Sequence, residues 1–349
     1  MHPTELPPRL TGPTAWLGAG MARREDWIEP LSAAEIDEIA AAAEPLVRRG
    51  ADIAQITRER FPLPMLAPRL AGWRDTLLRG RGFVLARGLP VQRWSMRESA
   101  TAFFGLGAHL GHARSQNGRG HLLGHVQDLG LASDDPNVRI YQTAERQTFH
   151  TDSCDVVGLL CLQTAVRGGD SALVSSNTMW NELLARSPEL AAELLKPVAT
   201  DRRGEVPEGG KPYFTIPVYC WHEGLMSTIY QRQYIDSAQR YADAPRLTDA
   251  MVRALDAFDA LAEDPQLHFL MRLERGDLQF VHNHTLLHDR TAFTDTPQQR
   301  RHLLRLWLAP DDARPLPPVY AERYGSVVPG RRGGVEVPRM RLVAPLAAQ

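Results

Sequence analysis

A chain of 349 residues with 40 Lys+Arg against 41 Asp+Glu has a formal charge of -1, without the basic excess expected of a nucleic-acid-binding surface. Its 43% apolar and 23% charged residues are those of a globular protein that buries a core, and 27 Gly with 26 Pro are too few for a collagen-like or low-complexity chain. No apolar run approaches the roughly 20 residues of a membrane-spanning helix, since the longest, Val156 to Leu162, stops at Gln163. Pro3, Pro7, Pro8 and Pro13 interrupt the first segment, against the pattern of a secretory signal. Cys154, Cys161 and Cys220 show no metal-binding spacing, and their odd number suits a reducing compartment. A cytoplasmic protein with small-molecule partners is expected, with neither nucleic acid nor membrane. Homo-oligomerisation stays open.

Residues 1–30 read as an irregular lead-in. Ser32 with Glu35 forms a capping box for a helix whose Ile36, Ile39, Ala43, Leu46 and Val47 recur at helical spacing, and Gly50 supplies the stop. A short helix is expected over Leu70 to Leu78, a strand between Gly82 and Gly88, and a second capped helix from Ser95 and Glu98. The texture then turns to strands: the alternating Val138 to Thr143, the apolar Asp155 to Val166, and Ser171 to Val174 after the turn Gly168-Gly169-Asp170. Two short helices follow, the second with Pro188 at its first position behind Ser187. Strands are expected over Tyr213 to Val218 and Leu225 to Gln231, and Thr248 caps a helix carrying Met251, Leu255, Phe258 and Leu261. Gln266 to Leu273, Leu278 to Val281 and Leu303 to Leu308 return to strand texture. Many short strands without β-α-β alternation argue for a barrel or sandwich. Residues 31–312 read as one domain, and 313–349 as a loosely held Pro-, Gly- and Arg-rich segment.

The chemistry begins at Phe149-His150-Thr151-Asp152. In a strand, residues two apart share a face, so His150 and Asp152 point together, supplying two of the three ligands of a non-haem iron site. Chance alone supplies about one His-x-Asp/Glu in a chain of this composition, so the triplet says little by itself. The cluster His282, His284 and His288 adds weight, although all three share parity and an unbroken strand would put them on one face. Any one of them could equally be a buried, hydrogen-bonded histidine. Alternation also places Arg301, Leu303 and Arg305 on one face of an apolar strand. A buried arginine there requires an anion, either an internal carboxylate or the carboxylate of a small ligand.

These motifs together resemble the taurine dioxygenase / clavaminate synthase-like Fe(II)- and 2-oxoglutarate-dependent oxygenases. The resemblance runs from about Gly82 to Pro310 and rests on His150-x-Asp152, Gly168-Gly169-Asp170-Ser171, the distal His288 and the pair Arg301 and Arg305 in that order. It implies an α+β protein with a double-stranded β-helix (jelly-roll) core and flanking helices. It also implies that His150, Asp152 and His288 bind Fe(II), and that Arg301 and Ser171 hold the distal carboxylate of 2-oxoglutarate. Two imidazoles and one carboxylate leave three coordination positions for the co-substrate and O2. Succinate and CO2 are then released, and a small, anionic or amino-acid-like substrate is oxidised. Related halogenases lack the carboxylate, so Asp152 points to hydroxylation over halogenation, with desaturation, ring formation or cleavage open to the same oxidant. Arg305, Asn117 and Tyr141 are candidate substrate contacts, with Gln116 beside them, and Cys154 shares parity with the first two ligands. Two other classes compete. A non-catalytic jelly-roll binder would not need an open-sided iron site, and a zinc hydrolase using the same ligands would leave Arg301 without a task.

Overall fold

The computed structural model describes residues 6–131 and 139–348. Two sheets face each other with helices packed on both outer sides. The larger, seven-stranded sheet runs in the order Ile28–Pro30, Phe83–Arg87, Leu278–His282, Val156–Gln163, His302–Ala309, His112–Arg114, and Leu123–Val126 also pairs with His302–Ala309. The smaller has the order His268–Met271, Ser171–Ser175, Leu286–Arg290, Gln147–His150.

Alternation decides what each face does. On the larger sheet, Val84, Leu160, Phe280, Leu304 and Leu306 pack outward against the helices Ala33–Arg48, Ala67–Leu78 and Met96–Leu110. Their neighbours Phe83, Val157, Val281, Leu303 and Trp307 point inward and meet Leu173 and Leu286 of the smaller sheet. The smaller sheet sends Ala172, Val174 and Leu287 outward to Met179, Trp180, Leu255 and Phe258 on the helices Ser176–Arg186 and Asp249–Ala262. Each fully buried Leu or Phe contributes roughly 1.5–3 kcal/mol, so a one-residue register slip in either sheet would be prohibitive. Both capping boxes form: Ser32 and Ser95 accept from the backbone of Glu35 and Glu98, whose carboxylates accept from the serine backbones.

Three expectations change. Over Val138 to Thr143, Val138 lies outside the described residues, and Ile140–Gln142 form a 3-10 turn instead of a strand. Thr143 N and Oγ1 both donate back to Ile140 O, at 3.0 and 2.9 Å, so the alternating residues never join a ladder. The lead-in is not wholly irregular: Ile28–Pro30 pairs in parallel with Phe83–Arg87, and Trp16 and Trp27 pack edge-on or tilted against Phe83 and Phe269. Nor is the C-terminal segment loosely held. Arg332 is fully buried against Asp155, and Gly334 N donates to Ser153 O at 2.7 Å.

Candidate active site

Within the smaller sheet Gln147–His150 pairs with Leu286–Arg290, and His288 lies directly opposite His150. Their ring centroids are 4.2 Å apart. Asp152 follows in the loop, anchored by its backbone N–H to Asn283 Oδ1 at 3.0 Å. The ligand atoms of His150, Asp152 and His288 all lie within 4.8 Å of one another, the only such cluster of three His, Cys, Asp or Glu among the described residues.

The surroundings set each donor. His150 Nδ1 donates to Thr148 O at 2.8 Å, which leaves Nε2 with its lone pair directed at the cluster. Gln147 Nε2 lies 2.9 Å from that nitrogen and is the donor that a metal would displace. His288 Nε2 is 3.8 Å from Asp152 Oδ2, too long for a hydrogen bond and suited to a shared cation, because metal–ligand bonds of about 2.0–2.2 Å fit such a gap. Burial, with the neighbouring His150, pushes His288 down to about 3, and burial lowers His150 as well. For Asp152, burial alone would raise the carboxyl. Arg305, His288, His150 and the bond from Trp307 Nε1 (2.9 Å) outweigh it and hold it below the usual range. Neutral imidazoles beside an ionised carboxylate are the protonation states a divalent metal binds. The donor set fits Fe(II).

Beside the triad is a cavity of about 470 Å³, bounded by Ser171, Gln279, Arg290, Arg301, Leu303 and Arg305 among others. Arg301 is 3% exposed, and no carboxylate of the described residues lies within 4.0 Å of its guanidinium. Its Nη2 donates to Gly169 O at 3.3 Å, Nη1 has no partner, and burial pushes its pKa down to about 10. The internal salt bridge that could have explained this arginine is absent among the described residues. Gly168 and Gly169 have φ of +69° and +74°, and a Cβ on Gly169 would come within 2.7 Å of Arg301 Nε, so this turn makes room for the guanidinium.

A second cleft of about 710 Å³ also borders His150 and Asp152, lined by Tyr141, Gln147, Arg305 and Trp307 and by Thr200, Asp201, Arg202 and Glu205. Tyr141 stacks on Arg305 (4.5 Å), and both border the two cavities. Arg305 Nε donates to Gln116 Oε1 at 2.6 Å. Asn117 lies outside both cavities: its side chain is 3.2 Å from His121 Nδ1 and caps the turn that follows it. Cys154 is fully buried away from both, accepting from Asn283 Nδ2, and burial raises its thiol well above the ordinary range. His282 and His284 do not join the triad. The strand breaks at residues 283–285, His284 Nε2 pairs with Asp155 at 3.0 Å, and His282 Nδ1 meets Thr285 Oγ1 at 3.0 Å. Neither Gln147 nor Trp307 carries a motif of its own in the sequence, although Trp307 shares parity with Arg301 and Arg305.

A His-x-Asp…His cluster between two facing sheets, with a buried unpaired arginine alongside, defines a 2-oxoglutarate-dependent non-haem iron dioxygenase. The chain belongs to the taurine catabolism dioxygenase TauD, TfdA family, whose model matches residues 44–307. It is 32% identical over 316 residues to FR-33289 synthase of Streptomyces rubellomurinus, covering 88% of this chain and 92% of that protein. It is 30% identical over 330 residues to the taurine hydroxylase-like protein SAT17 of Stachybotrys chartarum, covering 91% and 84%. A solved asparagine oxygenase in complex with Fe(II), 2S,3S-3-hydroxyasparagine and succinate superposes with a TM-score of 0.64 at 18% identity, covering 81% of this chain and 93% of that one. Iron and 2-oxoglutarate are therefore its cofactor and co-substrate. Among the described residues no helix is long and apolar enough to cross a membrane.

Proposed function

We propose that this chain hydroxylates a small anionic, amino-acid-like molecule, with His150, Asp152 and His288 holding Fe(II) and with Arg301 and Ser171 holding the distal carboxylate of 2-oxoglutarate. The observation that carries the reading is Arg301, a buried guanidinium without a carboxylate partner among the described residues, in the cavity shared with the three ligand side chains. Bound there, Fe(II) and 2-oxoglutarate supply the means to activate O2 and oxidise a C–H bond, with release of succinate and CO2. The protein's own contribution is placement. Trp307 orients the Asp152 carboxylate, Thr148 sets the His150 tautomer, and the inward apolar residues Leu159 and Leu303 keep bulk water from the co-substrate cavity. Arg301 offers a planar fork to a planar carboxylate. The hydroxylated amino acid and succinate held by the structurally similar asparagine oxygenase support hydroxylation as the outcome. The two facing sheets suit a double-stranded β-helix core in a single domain over 31–312, with the described residues 6–30 and 313–348 packed against it.

The test is anaerobic titration with Fe(II) and 2-oxoglutarate, then succinate formation in air across a panel of small acids and amino acids. One equivalent of iron and substrate-stimulated succinate formation are expected. Full turnover with zinc in the absence of oxygen would instead select the hydrolase.

A further inference from the structure

Four arginines line the second cleft, to which Arg301 does not contribute: Arg139, Arg202, Arg305 and Arg323. Three carboxylates accompany them, and each is engaged. Glu205 pairs with Arg139 at 2.6 Å and accepts from Gly118 N at 3.1 Å. Asp201 faces Arg240 at 3.0 Å and accepts from Arg203 N at 2.8 Å and from the Tyr241 hydroxyl at 3.1 Å. Asp152 belongs to the triad and lies beside Arg305. This leaves Arg202 and Arg323, for which no carboxylate of the described residues comes within 4.0 Å.

Both guanidiniums lie against one ring, Phe214, at 5.4 and 5.9 Å from its centroid. Arg202 Nη2 donates to the backbone carbonyl of Glu322, and Arg323 Nη1 to Gly334 O at 3.0 Å. The Glu322 carboxylate itself is taken by Thr215, accepting from N at 2.7 Å and from Oγ1 at 3.0 Å. Arg202 is only 9% exposed, and its Nε is buried without a partner. Burial, and then the neighbouring Arg323, push Arg202 down to about 10, while burial lowers Arg323 too. Arg202, buried, and Arg323, half-buried, lie over one ring on the cleft wall, and Glu322 and Glu205 act on them only from beyond 4.0 Å, so an anion entering the cleft would complete them. The two positive charges match a dianion. A phosphoryl group carries about -1.5 to -2 at neutral pH with three acceptor oxygens, whereas a carboxylate carries one charge.

Building on the dioxygenase reading, we propose that Arg202 and Arg323 form the anchor for the prime substrate, and that this substrate bears a –PO3²⁻ group, as a phosphonate or a phosphate ester. Arg305, held by Gln116 beside Asp152, is then a wall between the two cavities and not the main anion anchor.

The test uses calorimetric titration of the full-length protein, both metal-free and loaded anaerobically with Fe(II) and 2-oxoglutarate. The probes are propylphosphonate, propyl phosphate and butyrate, and the first two separate the phosphonate from the ester source. At least one phosphorus probe should bind tenfold or more tightly than butyrate. Arg202→Gln and Arg323→Gln should each weaken it tenfold or more while 2-oxoglutarate affinity stays within about twofold. Should Arg202→Gln fail to fold, Arg323→Gln and the charge-retaining Arg202→Lys carry the comparison, with thermal stabilisation by propylphosphonate as a second readout. Equal binding of butyrate, no binding of either phosphorus probe, or binding indifferent to both substitutions would overturn the proposal. Failure to bind Fe(II) and 2-oxoglutarate would overturn the dioxygenase reading instead, since the metal-free titration reports on the cleft alone.

Discussion

Arg332, far along the C-terminal segment, places its Nη2 2.6 Å from Asp155 Oδ1, three residues past the metal-ligand candidate Asp152, and both side chains are fully buried. The same carboxylate accepts from His284 at 3.0 Å, and Arg332 also donates to Val327 O (2.9 Å) and Arg314 O (2.7 Å). The tail therefore closes over the loop that carries Asp152. Removing one member of such a pair leaves a buried charge uncompensated, so Arg332→Ala should cost about 3–5 kcal/mol in urea unfolding. A change below about 1 kcal/mol would show that the tail is dispensable.

His150→Ala or His288→Ala should abolish iron binding, read by metal analysis of the folded protein. His284→Asn should keep one iron per chain yet lose about 1–3 kcal/mol of stability, because the buried Asp155 loses a hydrogen bond. Loss of iron in the His284 variant, at normal fold content, would contradict this division of labour. Asp152→Ala should fold and lose hydroxylation.

Arg301 controls the co-substrate. Arg301→Ala should cost about 3–5 kcal/mol in 2-oxoglutarate binding, a hundredfold or greater rise in its apparent constant, and Arg301→Lys should already be harmful. Ser171→Ala, which removes a single hydrogen bond to a charge, should cost about 1–3 kcal/mol. Saturation curves for 2-oxoglutarate in the three variants settle the ranking, and an unaffected Arg301→Ala enzyme would remove the assignment.

Gly169→Ala tests the same contact from the other side. Its Cβ would clash with the Arg301 side chain at a φ of +74°, so affinity for 2-oxoglutarate should fall together with a stability loss of about 1–3 kcal/mol. Unchanged affinity would mean that Arg301 has room to move.

Acid should destabilise the fold through a histidine pair. His125 Nε2 donates to Pro345 O at 2.9 Å, so its Nδ1 accepts from His302 Nε2 at 2.8 Å, an arrangement that needs the His125 ring neutral. Burial, with His125 next to it, pushes His302 down to about 4, and burial lowers His125. The unfolded chain, with histidines near 6.5, binds more protons, so this contribution is complete above about pH 6.5 and is lost as pH falls toward 4. His302→Gln keeps a donor but does not titrate. Between pH 7 and pH 5 it should lose about 1–2 kcal/mol less stability than the wild type. Parallel pH profiles would rule the pair out.

The capping boxes at Ser32 and Ser95, the parity of Arg301, Leu303 and Arg305, and the pairing of His150 with Asp152 were all legible along the chain. Each depends on residues a few positions apart, although strand alternation is not what brings the site residues together. The strand ends at His150, so Asp152 joins from the loop, and Arg301 precedes a strand whose register shifts between His302 and Leu303. Periodicity could not choose among His282, His284 and His288. That choice depended on the break at residues 283–285 and on Asp155, which draws His284 away from the triad. Periodicity also misread Val138 to Thr143, since an alternating segment becomes a strand only where another strand offers its backbone groups. The burial of Arg332 and the meeting of Arg202, Phe214 and Arg323 were invisible for the same reason. These residues come from separate segments, and the charges and rings that surround them are supplied only when the chain has folded.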